Sequence, residues 1–181
     1  MINEKLKKIK LVITDVDGVL TDGLLHYDAN GEAIKSFHVR DGLGVKMLMD
    51  AGIQVAVLSG RDSAILRKRI NDLGIKLFFL GKLEKESACL ELMKQAGVTA
   101  EQTAYIGDDS VDLPAFATCG LSFAVADSAP YVKNAVDYVL SLGGGKGAFR
   151  EMSDMILHAQ GKDEVYTSAK GFLKSVKNMG Q

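Results

Sequence analysis

The sequence predicts an α/β protein, a Rossmann-like three-layer sandwich with a central parallel sheet. Three observations carry that expectation. Short runs at 10–14, 53–58 and 121–124 are apolar on both faces; amphipathic stretches alternate with them; and 181 residues at 47% hydrophobic and 25% charged suit one globular domain. A strand apolar on both faces must be covered on both, which a sheet between two helical layers achieves.

The elements follow in order. Residues 10–14 are short, apolar and β-branched, and end in carboxylates, as a buried strand would. Segments 24–27 and 32–37 flank Asp28-Ala29-Asn30-Gly31, where Asn-Gly favours a hairpin turn, so a small β-hairpin flap is expected. Leu43, Val45, Met47 and Leu48 predict a helix closing at Ala51-Gly52, with Met47, Leu48 and Met49 in its core face. Strand 53–58, helix 63–73, strand 76–80, helix 83–95, strand 103–106, helix 111–119 and strand 121–124 continue the alternation, and 135–140 resembles a last strand. Gly143-Gly144-Gly145-Lys146-Gly147 then precedes a helix at 148–159 and a polar end. The expected organisation is a single domain over 1–181 with a glycine-rich C-terminal tail from about residue 143.

Several function classes are disfavoured. Lys plus Arg is 22 and Asp plus Glu is 23, so a net charge of −1 gives no bulk field for nucleic acid or an anionic membrane. The longest uncharged run, 113–126, is well short of the roughly 20 residues that span a bilayer. Asp15 ends the first apolar stretch too early for a signal peptide, so a cytoplasmic location is expected. Cys89 and Cys119 lack CxxC spacing and read as two buried thiols. Gly42-Leu43-Gly44 lacks the third glycine of a dinucleotide fingerprint, and 143–147 lacks a P-loop ending. Lys5 to Lys10 reads as a solvated face, and His26 and His158 as ordinary polar positions.

In an open parallel sheet, ligands bind beyond the carboxyl ends of the strands. There the chain places Asp15-Val16-Asp17-Gly18-Val19-Leu20-Thr21-Asp22, Ser59-Gly60-Arg61, Lys85 and Gly107-Asp108-Asp109-Ser110-Val111-Asp112. Carboxylates crowded at one edge repel one another unless a cation neutralises them, and oxygen ligands select Mg²⁺. Ser59 and Lys85 offer a donor and a positive charge to phosphate oxygens, which points to phosphoryl transfer.

These four segments resemble, in order and placement, the four motifs of the haloacid dehalogenase superfamily of phosphohydrolases. The resemblance implies Asp15 as a nucleophile that forms an aspartyl-phosphate and Asp17 as general acid and base. It implies Asp15, the Asp17 backbone carbonyl and Asp108 as magnesium ligands, with Ser59 and Lys85 on the phosphoryl group and Lys82 as a competitor to Lys85. An aspartate at position 17 favours hydrolysis over ATPase chemistry, since superfamily ATPases carry threonine there. The segments between motifs leave no room for a cap domain, so the chain is similar to the capless subclass. Within that subclass, phosphatases of small acidic sugar phosphates share the 15–22 stretch, the flap with the residues after it, and the late glycine-rich run. The resemblance implies substrate contacts at Asp17, His38, Val39, Arg40, Asp41, Gly42, Lys46, Gly60, Arg61, Arg69 and Lys85. It also implies a homo-oligomer, a tetramer in that subclass. An exposed hairpin is marginal alone, so the flap is the expected interface element, and the glycines at 143–147 could carry Lys146 or Arg150 to a neighbour's site or serve as a hinge to a packed helix. An inactive assembly module would retain the fold, but all four motifs are intact. Asp22, Asp41, Asp109 and Asp112 read equally well as caps and turns.

Overall fold

The computed structural model describes residues 2–179. After a short helix α1 (Ile2–Leu6), the chain enters β1 (Leu11–Thr14), then β2 (His26–Asp28) and β3 (Gly31–Ile34), α2 (Val39–Asp50), β4 (Gln54–Leu58) and α3 (Ala64–Leu73). It continues through β5 (Leu77–Phe79), α4 (Lys85–Ala96), β6 (Thr103–Gly107), α5 (Leu113–Thr118), β7 (Leu121–Ala124), α6 (Pro130–Lys133) and β8 (Tyr138–Val139). Helices α7 (Ala148–Ala159), α8 (Glu164–Thr167) and α9 (Ala169–Met179) complete it.

Six strands form one sheet in the order β5-β4-β1-β6-β7-β8, parallel at every pairing. The alternation of side chains along each strand divides the core in two. Val12, Val55, Val57, Ala104 and Ile106 face α2, α3 and α7, meeting Val45, Leu48, Leu66, Ile70, Phe149, Met152 and Ile156. Leu11, Ile13, Ala56, Leu58 and Tyr105 face α4 and α5, meeting Cys89, Leu92, Met93 and Phe116. Each fully buried aliphatic side chain contributes roughly 1.5–3 kcal/mol relative to exposure, so the two cores hold the sheet from both sides. Both cysteines are free and buried in the second core.

The chain builds outward from β1 to β4 and β5, then crosses back to β6, β7 and β8. That reversal opens a crevice between the carboxyl ends of β1 and β6. Neither inter-motif segment contains a cap domain; the first holds only the β2–β3 ribbon and α2.

The structure adjusts one expectation and adds detail to others. Asn-Gly does not form the central pair of the flap turn: Asp28 pairs with Gly31, so Ala29 and Asn30 occupy the corner, and Gly31 takes the positive φ of 120° just after it. The glycine-rich segment from residue 143 leads into the expected helix and packs on the rest of the chain. Helix α7 buries Ala148, Phe149, Met152, Ile156 and Leu157, and Tyr166 donates to Met47 O at 2.9 Å, tying the last helices back to α2. The glycines are explained by close packing. Gly145 N donates to Val19 O at 2.9 Å, and a Cβ on Gly144 would lie 2.0 Å from Gly18 O. Finally, α1 and α6 are too short to leave a periodic signal in the sequence.

Candidate active site

The loop after β1 carries the first carboxylates. Asp15 N donates to Ile106 O at 3.0 Å, and Leu20 and Thr21 both donate to Val16 O, curling the chain back at once. Val16, Val19 and Leu20 anchor this curl in the core, while the Thr21 hydroxyl accepts from Gly18 N and Gly23 N. Position 18 admits only glycine. Its φ is 90°, and a Cβ there would lie 2.0 Å from Asp108 Oδ2. The first loop and the β6 loop therefore meet at Gly18.

At the crevice, Asp15, Asp108 and Asp112 bring carboxylate oxygens within 4.8 Å of one another. Lys85, at the start of α4 and 1% exposed, reaches in from the opposite layer. Its Nζ lies 3.0 Å from Asp15 Oδ1 and 2.6 Å from Asp112 Oδ1. Tyr105 donates to the same Asp112 oxygen at 2.6 Å and accepts from Lys85 at 3.1 Å. Asp112 also receives Asp108 N at 2.9 Å and Asp109 N at 3.2 Å, so it shapes the loop as well as pairing with Lys85.

Three carboxylates against one ammonium leave the site short of positive charge. Burial and then the Asp112 charge push the Asp15 carboxyl up to about 7, against the pull of Lys85. Burial, followed by repulsion from Asp15 and Asp112, pushes Asp108 up to about 8. Burial opposes the Lys85 charge, yet Asp15 and Asp112 outweigh it and raise its pKa. This all-oxygen group fits a hard divalent cation, which would allow the carboxylates to ionise together.

Asp17 is not in that group. Its Oδ1 is paired with Lys35 from the flap, and its Oδ2 lies 4.0 Å from Arg61 Nε. Arg61 also donates to Tyr27 of β2 at 2.6 Å. Ser59 directly follows β4 at 1% exposure, its hydroxyl accepting from Arg61 N at 3.1 Å. Gly60 lies against Leu83, and Lys82 is exposed, so the buried lysine of the cluster is Lys85.

The remaining residues expected at the substrate lie around the start of α2. His38 caps that helix by accepting Arg40 N at 3.1 Å, and Val39 and Arg40 are exposed. Asp41 accepts Arg150 N at 2.9 Å, tying α2 to α7. Arg69 lies against Gly42 and 5.3 Å from the Phe37 ring. Lys46 is not brought to this edge; its Nζ lies near Gly74, beyond the end of α3. Asp41 Oδ2, Arg61 Nε and Arg69 Nε are buried without hydrogen-bond partners among the described residues, polar capacity that a ligand could take up. Asp22 and Asp109 serve turns, accepting Leu24 N and Ser110 N. A cavity of about 570 Å³ at the amino end of the sheet, lined by Lys7, Lys8, Lys10, Glu101 and Lys162 among others, is far from this chemistry.

A sheet with a carboxylate-bearing loop at its switch point, a buried lysine and an acidic group after β6 defines a class. The chain belongs to the haloacid dehalogenase-like hydrolases, whose sequence profile matches residues 81–143. Its relatives narrow this further. It is 84% identical over 178 residues, covering 98% of this chain and 99% of the relative, to the 3-deoxy-D-manno-octulosonate 8-phosphate phosphatase KdsC of Haemophilus influenzae. It is 42% identical to the Escherichia coli K12 protein of the same name over 158 residues, covering 87% of this chain and 84% of that one. The cobalt-bound form of the Haemophilus influenzae phosphatase superposes with a TM-score of 0.92 at 84% identity, covering 93% and 99% of the two chains. The Moraxella catarrhalis phosphatase, in complex with magnesium ion, phosphate ion and a KDO molecule, gives 0.88 at 38% identity, covering 91% and 95%.

Proposed function

We propose that this chain is a Mg²⁺-dependent phosphatase that hydrolyses 3-deoxy-D-manno-octulosonate 8-phosphate to the sugar acid and inorganic phosphate. The observation that carries this reading is the Asp15 carboxylate, fixed by Lys85 beside Asp108 and Asp112 in a chain 84% identical to a phosphatase of that specificity.

Asp15 attacks phosphorus, forming a P–O bond as the bond to the sugar oxygen breaks. Asp17 gives its proton to that oxygen, then takes one from water, which attacks the same phosphorus and releases Asp15 and phosphate. Lys85 holds Asp15 in place and neutralises charge on the phosphoryl oxygens; Ser59 supplies a hydroxyl donor. Mg²⁺ bound by Asp15, Asp108 and the Asp17 carbonyl would neutralise phosphoryl charge during the displacement. Arg61, Arg69 and Arg40 supply cations suited to a substrate bearing both phosphate and carboxylate, with His38 beside them.

In this reading the protein works in the cytoplasm, on the route to lipopolysaccharide. It is a homo-oligomer, proposed as a tetramer, because Leu24, Leu25, Tyr27, Ile34 and Val39 expose an apolar surface on and beside the flap. No helix among the described residues is long and apolar enough to cross a membrane. The test is phosphate release from a panel containing the octulosonate phosphate, a nonulosonate phosphate and neutral sugar phosphates, with Mg²⁺ and after chelation. Turnover strongest on the octulosonate ester, lost on chelation and in Asp15→Asn, is expected; preference for another ester rejects the substrate, and a fully active Asp15→Asn variant rejects the mechanism.

A further inference from the structure

Two charged flap residues, Lys35 and Glu32, are in neither the metal group nor the expected substrate contacts. Lys35 lies just beyond β3 with its side chain 2% exposed, and its ammonium is paired with Asp17 Oδ1 and lies 3.0 Å from Glu32 Oε1. Glu32 is itself 8% exposed as a side chain. An ammonium taken out of water needs charged partners, and among the described residues these two carboxylates supply them, Asp17 through a hydrogen bond and Glu32 by proximity, its own oxygens making no hydrogen bond. Asp17 accepts it with one oxygen and turns the other toward Arg61. The same arginine donates to Tyr27 at 2.6 Å, so two flap residues and the loop after β4 surround the Asp17 carboxylate, which is outside the group formed by Asp15, Asp108 and Asp112.

We propose that Lys35 is a positioning residue for proton transfer to the leaving group: with the Glu32 carboxylate beside it, its ammonium sets the place and orientation of the Asp17 carboxyl. This rests on the reading of Asp17 as general acid. In an in-line displacement the departing oxygen lies opposite the attacking Asp15, and a proton donor must be held within hydrogen-bond reach of it. Lys35 does this through Asp17 without touching the reacting atoms, and it makes the flap part of the chemistry as well as of the surface.

The experiment compares wild type, Lys35→Met, Glu32→Gln, Asp17→Asn and the Lys35→Met/Asp17→Asn double variant, each checked for folding by circular dichroism. Two monoesters are used, an alkyl sugar phosphate and an aryl phosphate whose phenolate leaves without protonation. Because kcat/KM reports steps up to leaving-group departure, Lys35→Met should lower it about tenfold or more on the alkyl ester and less than about threefold on the aryl ester. Glu32→Gln should show the same preference more weakly, and Lys35→Met should cost nothing further in the Asp17→Asn background. An equal loss on both esters, or an undiminished loss in the Asp17→Asn background, overturns the proposal. Should Lys35→Met fail to fold, Glu32→Gln decides it on the same ratio. A wild type that releases phosphate from neither ester would instead remove the phosphatase reading itself.

Discussion

At the residue scale, the active edge is a problem in charge. Asp15 and Asp108 are raised to about 7 and about 8 from an ordinary 3.8. A carboxyl raised on folding binds its proton more tightly in the folded chain. Its contribution to stability is complete below the ordinary value and is lost as pH rises through 7 to 8. The metal-free protein should therefore lose stability across that window, and a cation that holds the ionised pair should restore it. Thermal unfolding with Mg²⁺ and with chelator is expected to show a larger gain at about pH 8 than at about pH 5, and Asp108→Asn should flatten that difference. Equal gains at both pH values would contradict the charge account. The sequence made Asp15, Asp108 and Lys85 legible because each lies directly after a strand or opens the helix beyond one. Asp112 was divided between cap and site, and the structure makes it both a loop organiser and the partner of Lys85. Tyr105 and Lys35 gave no signal, since the fold brings them to Lys85 and Asp17 from about twenty residues away, and Glu32 gave none because it depends on that Lys35.

At the element scale, strands and long helices were readable because burial on two faces and the 3.6-residue period leave strong patterns. Helix 148–159 falls on the residues expected, and 63–73 differs only in that Ser63 is the cap, accepting Leu66 N at 3.3 Å. The turn at Ala29-Asn30 and the docking of 143–147 were not readable, because a glycine that bends freely and one that permits close approach look alike in sequence. Gly18 shows the second case most sharply. Gly18→Ala should drive Asp108 from its place, both through its φ of 90° and through the clash at 2.0 Å. Mg²⁺ affinity by calorimetry should fall with activity, the latter by about a hundredfold, while circular dichroism keeps its α/β shape. Unchanged affinity would show that the two loops do not depend on each other.

At the scale of the whole molecule, a capless domain leaves its site with only the flap to cover it, and that flap exposes Tyr27 and Ile34 at 60% each. A two-stranded ribbon is marginal alone, so packing against another copy is the proposed source of its stability. Sedimentation should give a mass above the monomer's, and Ile34→Lys should shift it toward monomer and raise KM. A wild type that is monomeric and fully active would reject shared coverage of the site without touching the aspartate chemistry. That chemistry is the central claim, and covalent phosphate on Asp15 is its most direct test. Protein in excess over the octulosonate phosphate, with Mg²⁺, should be quenched in acid within the first turnover and mapped by peptide mass spectrometry. A transient phosphoryl group on the peptide containing Asp15, labile to hydroxylamine and lost as free phosphate appears, is the predicted result. Phosphate released with no covalent species at any time, or a phosphoryl group mapped to another residue, would contradict it.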